Sequence, residues 1–144
     1  MTERIGTKRI YDAADEADGT RVLVDGVWPR GMKKADARID HWRRDLAPSR
    51  ELRQWFSHEP RRWAAFREAY RDELAEQPGN LHALVALARG GPLTLIYSAR
   101  DRWHNQAAVL AEVVREELAE ADRANEPLPP VWYDDGRDGV DTGQ

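Results

Sequence analysis

The sequence predicts a small α/β protein: a mainly parallel sheet of about three to four strands with helices on its faces, in a single domain. Two short, mainly apolar runs carry this prediction, at residues 22–24 and 93–97, because strands that are covered on both faces read as near-continuous apolar runs. The long stretch between the two runs shows helical spacing of apolar side chains, and a crossover between parallel strands needs such a segment. A chain of 144 residues is usually one domain.

The first two predicted strands are close in sequence. Residues 4–11 are predicted to form a strand or an extended segment, and residues 20–25 form the second strand. The polar stretch between them, residues 12–19, is shorter than the roughly dozen residues of a parallel crossover. The first strand is therefore not expected to lie parallel and directly beside the second.

The middle of the chain is predicted to be helical. Apolar spacing over residues 39–46 predicts a helix that ends before Pro48, and Ser49 can cap a short helix after it. Pro60 suits the first turn of a longer helix, and Asn80 can cap a further one that ends at the Arg-Gly-Gly-Pro run. The longer helix carries one apolar stripe, which we expect to be core: Trp63, Phe66, Tyr70 and Leu74.

The third strand is predicted at residues 93–97, followed by a turn and a long helix near residues 104–121. Beyond that helix the periodic pattern stops, and residues 122–144 are rich in Pro, Gly and Asp. The single domain is therefore predicted to span residues 1–121, with residues 122–144 as a tail. Trp132 and Tyr133 are candidates for docking that tail on the body.

Several classes of protein are excluded or disfavoured by composition. The chain has no cysteine, which excludes disulfides, thiolate nucleophiles and thiolate metal sites. His41, His58 and His82 lack metal-ligand spacing, and the phosphate-loop, dinucleotide and esterase motifs are missing, so no metal or cofactor is predicted. No apolar run suggests a signal peptide or a membrane helix, and a soluble, cytoplasmic protein is expected.

Charge is distributed unevenly along the chain. The formal net charge is −4, yet residues 30–71 hold 12 Lys and Arg against 6 Asp and Glu. This basic middle either pairs with the acidic remainder inside the fold or faces an anion. A nucleic acid is one such anion, and Arg43, Arg44, Arg50, Arg53, Arg61 and Arg62 would then contact phosphates.

Polar clusters follow the second and third strands, where open α/β sheets bind their ligands. The cluster after the second strand contains Asp25, Trp28, Arg30 and Gly31. The cluster after the third strand contains Ser98, Arg100, Asp101, His104 and Asn105. If the two strands are parallel neighbours, we expect both clusters to meet at one sheet edge.

Each of these residues has a functional and a structural interpretation. Arg30 beside Gly31 suits an anion, although Arg30 could simply pair with Asp25. Trp28 either walls a pocket or fills the core, and the S-x-x-D spacing of Ser98 and Asp101 is also typical of a helix cap. If chemistry occurs, His104 with Asp25 is the best acid–base pair, with Asn105 and Arg100 as further ligand-binding candidates. Ser98 as a nucleophile is a weaker alternative.

A combination of segments resembles the YeaO-like family, domain of unknown function 488. The matching stretches are Val-Asp-Gly-Val-Trp-Pro-Arg-Gly at residues 24–31, Trp-Arg-Arg-Asp-Leu-Ala-Pro-Ser at 42–49, Leu-Arg-Gln-Trp-Phe-Ser-His at 52–58 and Thr-Leu-Ile-Tyr-Ser-Ala-Arg-Asp at 94–101, followed by His104 and Asn105. The resemblance implies a compact bacterial α/β fold and brings no established activity. It supports the two clusters as one site and adds the loop at Pro48 and Ser49, with His58, as possible walls.

The leading hypothesis is a protein with a pocket for an anionic small molecule, such as a nucleotide or a phosphorylated metabolite, at the carboxyl ends of the strands. The sequence leaves open whether the protein is an enzyme, and it leaves the oligomeric state open. The alternatives are a nucleic-acid-binding protein that uses the basic middle and a non-catalytic structural or interaction module.

Overall fold

A computed structural model of the chain describes residues 5–124 and shows a four-stranded parallel sheet. The strands are β1 (Ile5–Arg9), β2 (Thr20–Leu23), β3 (His41–Trp42) and β4 (Leu93–Tyr97), in the spatial order β1-β4-β2-β3. The helices are α1 (Lys34–Ala37), α2 (Arg50–Phe56), α3 (Trp63–Ala75), α4 (Pro78–Gly90) and α5 (Gln106–Ala124). Short 3₁₀ turns lie at Glu16–Asp18, Arg44–Leu46 and Pro60–Arg62. The predicted α/β fold class is confirmed.

Strand β4 lies between β1 and β2, so the first two strands are not neighbours. Leu93 is in register with Ile5 on one side and with Thr20 on the other, and both pairings are parallel. The expectation that β1 would not lie directly beside β2 is thus confirmed. The arrangement brings the chain segments that follow β2 and β4 to the same edge of the sheet.

The core has a larger cluster and a smaller cluster on the two faces of the sheet. Val22 and Val24 belong to the larger cluster, with α3, α4 and α5, whereas Leu23 belongs to the smaller one. This division explains why β2 reads as a continuous apolar run: each face of the strand is covered. The aromatic stripe of α3 is core as predicted, because Phe66 and Tyr70 are buried in the larger cluster.

The prediction of a helix over residues 39–46 is wrong. The backbone there pairs with β2: Arg43 N–H donates to the carbonyl of Leu23 at 2.9 Å, and Trp42 is in register with Leu23. Ile39 and Trp42 pack on the smaller cluster, while Leu46 enters the larger one. The apolar residues are therefore divided between two faces of the sheet, and the helical spacing of this segment does not reflect one helical face.

Two predicted helix starts have different outcomes. Ser49 caps α2 as expected, since its Oγ accepts from Leu52 N–H at 3.1 Å and donates to Glu73 Oε2 at 2.6 Å. Asn80 is not a cap, because α4 begins earlier with Pro78 in its first turn, where the missing N–H does no harm. Helix α5 continues to Ala124, and the rest of the predicted tail, with the docking of Trp132 and Tyr133, lies outside the described residues.

Candidate functional site

A cavity of about 220 Å³ opens at the carboxyl edge of the sheet. Asp25 reaches it from the end of β2, Ser98 from the end of β4, and Asn105 and Gln106 from the start of α5. The remaining walls come from the β2 loop, the region of α2, and α3. The full lining is Asp25, Gly26, Val27, Pro48, Arg53, Phe56, His58, Phe66, Ser98, Ala99, Asn105 and Gln106.

Asp25 is the most buried charged group in this lining, with an exposed fraction of 7%. Ser98 Oγ donates to its Oδ2 at 2.5 Å, and Gln106 Nε2 donates to its Oδ1 at 2.6 Å. Burial raises the pKa of the Asp25 carboxyl above its ordinary value, while the hydrogen bonds from Ser98 and Gln106 and the charge of Arg53 oppose that shift. The carboxylate is thus held in place by neutral donors.

Replacing Ser98 with alanine is expected to raise the pKa of Asp25 further. The substitution removes a hydroxyl donor that stabilises the charged form, and burial then opposes ionisation with less compensation. A carboxyl-carbon NMR titration of the wild-type protein and of Ser98→Ala measures the shift directly. An unchanged or lowered Asp25 pKa in the variant would contradict the hydrogen-bond geometry described above.

Arg53 of α2 lines the cavity and packs against the backbone at Gly26, the residue that follows Asp25. A Cβ on Gly26 would lie 3.3 Å from Arg53 Cζ, so the missing side chain leaves room for the guanidinium. Arg53 Nε donates to the carbonyl of Pro48 at 3.2 Å, and no carboxylate of residues 5–124 forms an ion pair with it. A neighbouring open hollow of about 420 Å³ shares Val27 and Arg53 with the cavity and adds Arg50.

Aromatic side chains form much of the apolar wall. Phe56 and Phe66 stack with ring centroids 4.3 Å apart, and the ring of His58 lies 5.8 Å from that of Phe56. Ser57 and His58 both have positive φ values, of 44° and 57° respectively. Such values are uncommon for residues with a side chain. This turn places His58 in the cavity lining beyond the end of α2.

Three of the predicted site residues, all in the loop after β2, do not line the cavity. Trp28 packs edge-on against Trp42 with centroids 5.4 Å apart, and its Nε1 donates to the carbonyl of Met32 at 2.6 Å. Trp28 is partly buried and packs against the smaller core cluster. Arg30 is exposed and forms no ion pair with Asp25, and Gly31 has the positive φ of 76° that glycine readily adopts.

The segment before α5 is organised by two caps. Asp101 Oδ1 accepts from the backbone N–H groups of Trp103 and His104, and Asp101 Oδ2 lies 2.9 Å from His104 Nδ1. These contacts, the backbone of Trp103 first, lower the pKa of Asp101. Asn105 caps α5, since its Oδ1 accepts from Ala108 N–H at 2.9 Å.

Asp25 and His104 are therefore not both in the cavity wall. The ring of His104 lies against Trp63 with centroids 5.1 Å apart, and exposed Arg100 is also outside the lining. The structure brings Asp25, Ser98 and Asn105 together around one hollow, together with Pro48 and His58. A ligand-binding role for these residues stays a prediction.

Sequence reasoning named Arg53 only as one of six arginines for the nucleic-acid alternative, and it did not name Gln106. Arg53 is one of 12 basic residues in the middle of the chain, and nothing local distinguishes it. Gln106 directly follows Asn105 at the start of α5, so its position beside the second polar cluster was an available signal.

The described part of the chain offers neither a candidate metal site nor a candidate membrane-spanning helix. Residues 5–124 contain no group of three or more His, Cys, Asp or Glu side chains arranged to hold a metal ion. The helices in the same range include none that is both long enough and apolar enough to cross a membrane.

Comparison with known proteins places the chain in a family. Residues 4–134 match the family model described as "Inactive DUF488-N3 subclade". The chain is 46% identical over 111 residues to the uncharacterized protein YeaO of Escherichia coli (strain K12), covering 77% of this chain and 96% of that protein. It is 39% identical over 111 residues to the uncharacterized protein Rv3073c of Mycobacterium tuberculosis (strain ATCC 25618 / H37Rv), covering 77% and 93% of the two chains. No solved structure matches significantly. The chain therefore belongs to the YeaO-like DUF488 family, as its sequence motifs predict.

Proposed function

We propose that this protein binds a small anionic molecule, such as a nucleotide or a phosphorylated metabolite, at the carboxyl edge of its sheet and does not transform it. The observation that carries the proposal is the position of Arg53. Its guanidinium borders both the cavity and the neighbouring hollow, and it has no carboxylate partner among residues 5–124. A guanidinium offers a planar fork of donors that matches phosphate or carboxylate oxygens.

The shape of the site supports a small ligand. At about 220 Å³, the cavity is smaller than the roughly 300–1,000 Å³ of pockets for drug-sized ligands. Phe56 and Phe66 supply an apolar wall for the body of the ligand. An anionic group would lie at the mouth, where Arg50 and Arg53 line the adjoining hollow.

Binding without catalysis agrees with two observations. The family model that the chain matches is described as inactive. In addition, His104 pairs with Asp101 outside the cavity lining, so it is not set beside Asp25 as an acid–base partner. Asp25 is itself held by Ser98 and Gln106.

Internal pairing supports a small anion over a nucleic acid. Several arginines of the basic middle bind within the fold: Arg67 and Arg71 pair with Glu112 of α5, and Arg43 pairs with Asp45. These contacts neutralise part of the positive charge that a phosphate backbone would need. Arg50 and Arg53, which form no ion pair among residues 5–124, line the hollow beside the cavity.

Replacing Arg53 with glutamine is expected to weaken the binding of a small anion by about tenfold or more, because a hydrogen bond to a charged group contributes about 1.5–3 kcal/mol. Inorganic phosphate, AMP and 3-phosphoglycerate are suitable probes, titrated calorimetrically at low salt. Arg89→Gln is the matched control, since Arg89 is an exposed arginine on α4 that does not line this cavity.

Two outcomes would contradict this proposal. One is that none of the three probes binds the wild-type protein, and the other is that Arg53→Gln binds as tightly as Arg89→Gln. Titration with a short DNA duplex tests the alternative. Duplex binding that falls steeply with salt, without binding of the small anions, would indicate a nucleic-acid-binding protein.

A further inference from the structure

Two buried aspartates of this protein have different partners. Asp18 and Asp25 both have an exposed fraction of 7%. Asp18 Oδ1 lies 2.8 Å from Lys8 Nζ and its Oδ2 lies 2.6 Å from a terminal nitrogen of Arg21, so two cations balance one carboxylate. Asp25 has no cation within ion-pair distance in the described range, and its partners are neutral.

A buried carboxylate without a cation is unfavourable unless something compensates for the lost hydration. Each carboxylate oxygen has two lone-pair positions, about four in all. The Ser98 hydroxyl and the Gln106 amide occupy one position each. At least one acceptor position of Asp25 is therefore available, and Asp25 lines the cavity.

The lining of the cavity thus contains two opposite charges. Asp25 supplies a carboxylate at the sheet edge, Arg53 supplies a guanidinium from α2, and Phe56 and Phe66 belong to the same lining. Asp25 and Arg53 do not form an ion pair with each other, although the charge of Arg53 acts on Asp25. A molecule that bears both charges would satisfy both Asp25 and Arg53, whereas a simple anion would satisfy only Arg53.

We infer that the ligand of this cavity is a small zwitterion, with a protonated amine that binds Asp25 and an anionic group that binds Arg53. Asp25 is then the residue that determines specificity. This inference rests on the proposed function, because it takes anion binding at Arg53 as given and adds the second charge.

The test uses two pairs of probes that differ only in an ammonium or a hydroxyl group on the same carbon. O-phosphoserine is compared with 3-phosphoglycerate, and phenylalanine is compared with 3-phenyllactate, each titrated calorimetrically into the full chain. In at least one pair, we expect the amine to bind about tenfold tighter or more, in line with a hydrogen bond between charged groups.

Two variants assign this preference to Asp25. In Asp25→Asn the ratio of amine to hydroxyl affinity should fall to about one, while the hydroxy acid keeps its affinity. Asp72→Asn is the matched control, since Asp72 is exposed on α3 and does not line the cavity, and it should keep the wild-type ratio. The ratio of amine to hydroxyl affinity can be measured with the wild-type protein alone, so the inference is testable even if Asp25→Asn does not fold.

The possible outcomes distinguish failure of the zwitterion inference from failure of the anion-binding proposal on which it rests. If the hydroxy acids bind as tightly as the amines, or if Asp25→Asn keeps the preference, the zwitterion inference is overturned and anion binding stands. If phosphate, AMP and 3-phosphoglycerate all fail to bind, anion binding is overturned as well.

Discussion

Replacing Asp18 with alanine is expected to destabilise the protein by about 3–5 kcal/mol, the usual cost of leaving a buried charge without its partner. Asp18 and Arg21 are both buried, and their side chains meet at 2.6 Å. Arg21 also donates to the carbonyls of Ala37 and Arg38, which fixes the chain between β2 and β3. Urea denaturation of the wild-type protein and the variant measures the loss in the free energy of unfolding.

The same pair predicts a dependence of stability on pH. Burial alone would raise the pKa of Asp18, but hydrogen bonds from Lys8, the Asp15 backbone and Arg21 outweigh it and hold the pKa below its usual value. The contribution of Asp18 is therefore fully present above the unfolded-state pKa of 3.8, and it is lost as the pH falls through the lower folded-state value.

The control for Asp18→Ala is Asp72→Ala. Asp72 is exposed on α3, and the substitution should change the free energy of unfolding by no more than about 0.5 kcal/mol. A similarly small effect of Asp18→Ala at neutral pH would contradict the view that this ion pair is buried and required.

Replacing Phe66 with alanine is expected to cost about 3–5 kcal/mol, the usual range for a buried aromatic side chain. Phe66 has an exposed fraction of 2% and contacts three further aromatic rings, those of Phe56, Trp63 and Tyr70. The same ring lines the cavity, so the substitution should also enlarge the site. Urea denaturation measures the first effect, and the affinity for the small-anion probes measures the second.

Trp103→Ala is the matched control for Phe66→Ala. Trp103 is also aromatic, but its exposed fraction is 78%, and its removal should leave the free energy of unfolding within about 0.5 kcal/mol. Phe66→Leu keeps most of the buried volume and should cost less than Phe66→Ala. If Phe66→Ala were no more destabilising than Trp103→Ala, the aromatic stripe of α3 would not be a core element.

Strong periodic patterns in the sequence predicted the corresponding elements well. The apolar runs of β2 and β4 and the stripe of α3 follow from local spacing, because burial of one face requires a repeat that matches the geometry of the element. Residues 39–46 show where this reasoning stops. Their spacing suited a helix, but pairing with the edge of β2 decided their structure, and a propensity argument cannot include a partner that is distant in sequence.

The candidate site likewise contains residues whose position the sequence predicted and residues whose position it did not. Asp25 and Ser98 were predictable, because polar residues at the carboxyl ends of neighbouring parallel strands meet at one edge. Trp28 and Arg30 follow the same strand, yet the turn of the loop carries Trp28 into the smaller core cluster and leaves Arg30 exposed outside the cavity lining. A loop of this kind has no regular periodicity in its sequence, so the direction of its side chains cannot be predicted from residue spacing.

The sequence by itself determined the family, the α/β class and the two strand ends that supply Asp25 and Ser98. Only the tertiary structure decided that Arg53, from α2, joins them in the lining of one cavity and that Asp25 lacks the cations given to Asp18. The physical reason is that periodicity reports which face of an element is buried, whereas the charge that a side chain meets depends on packing between elements far apart in the chain.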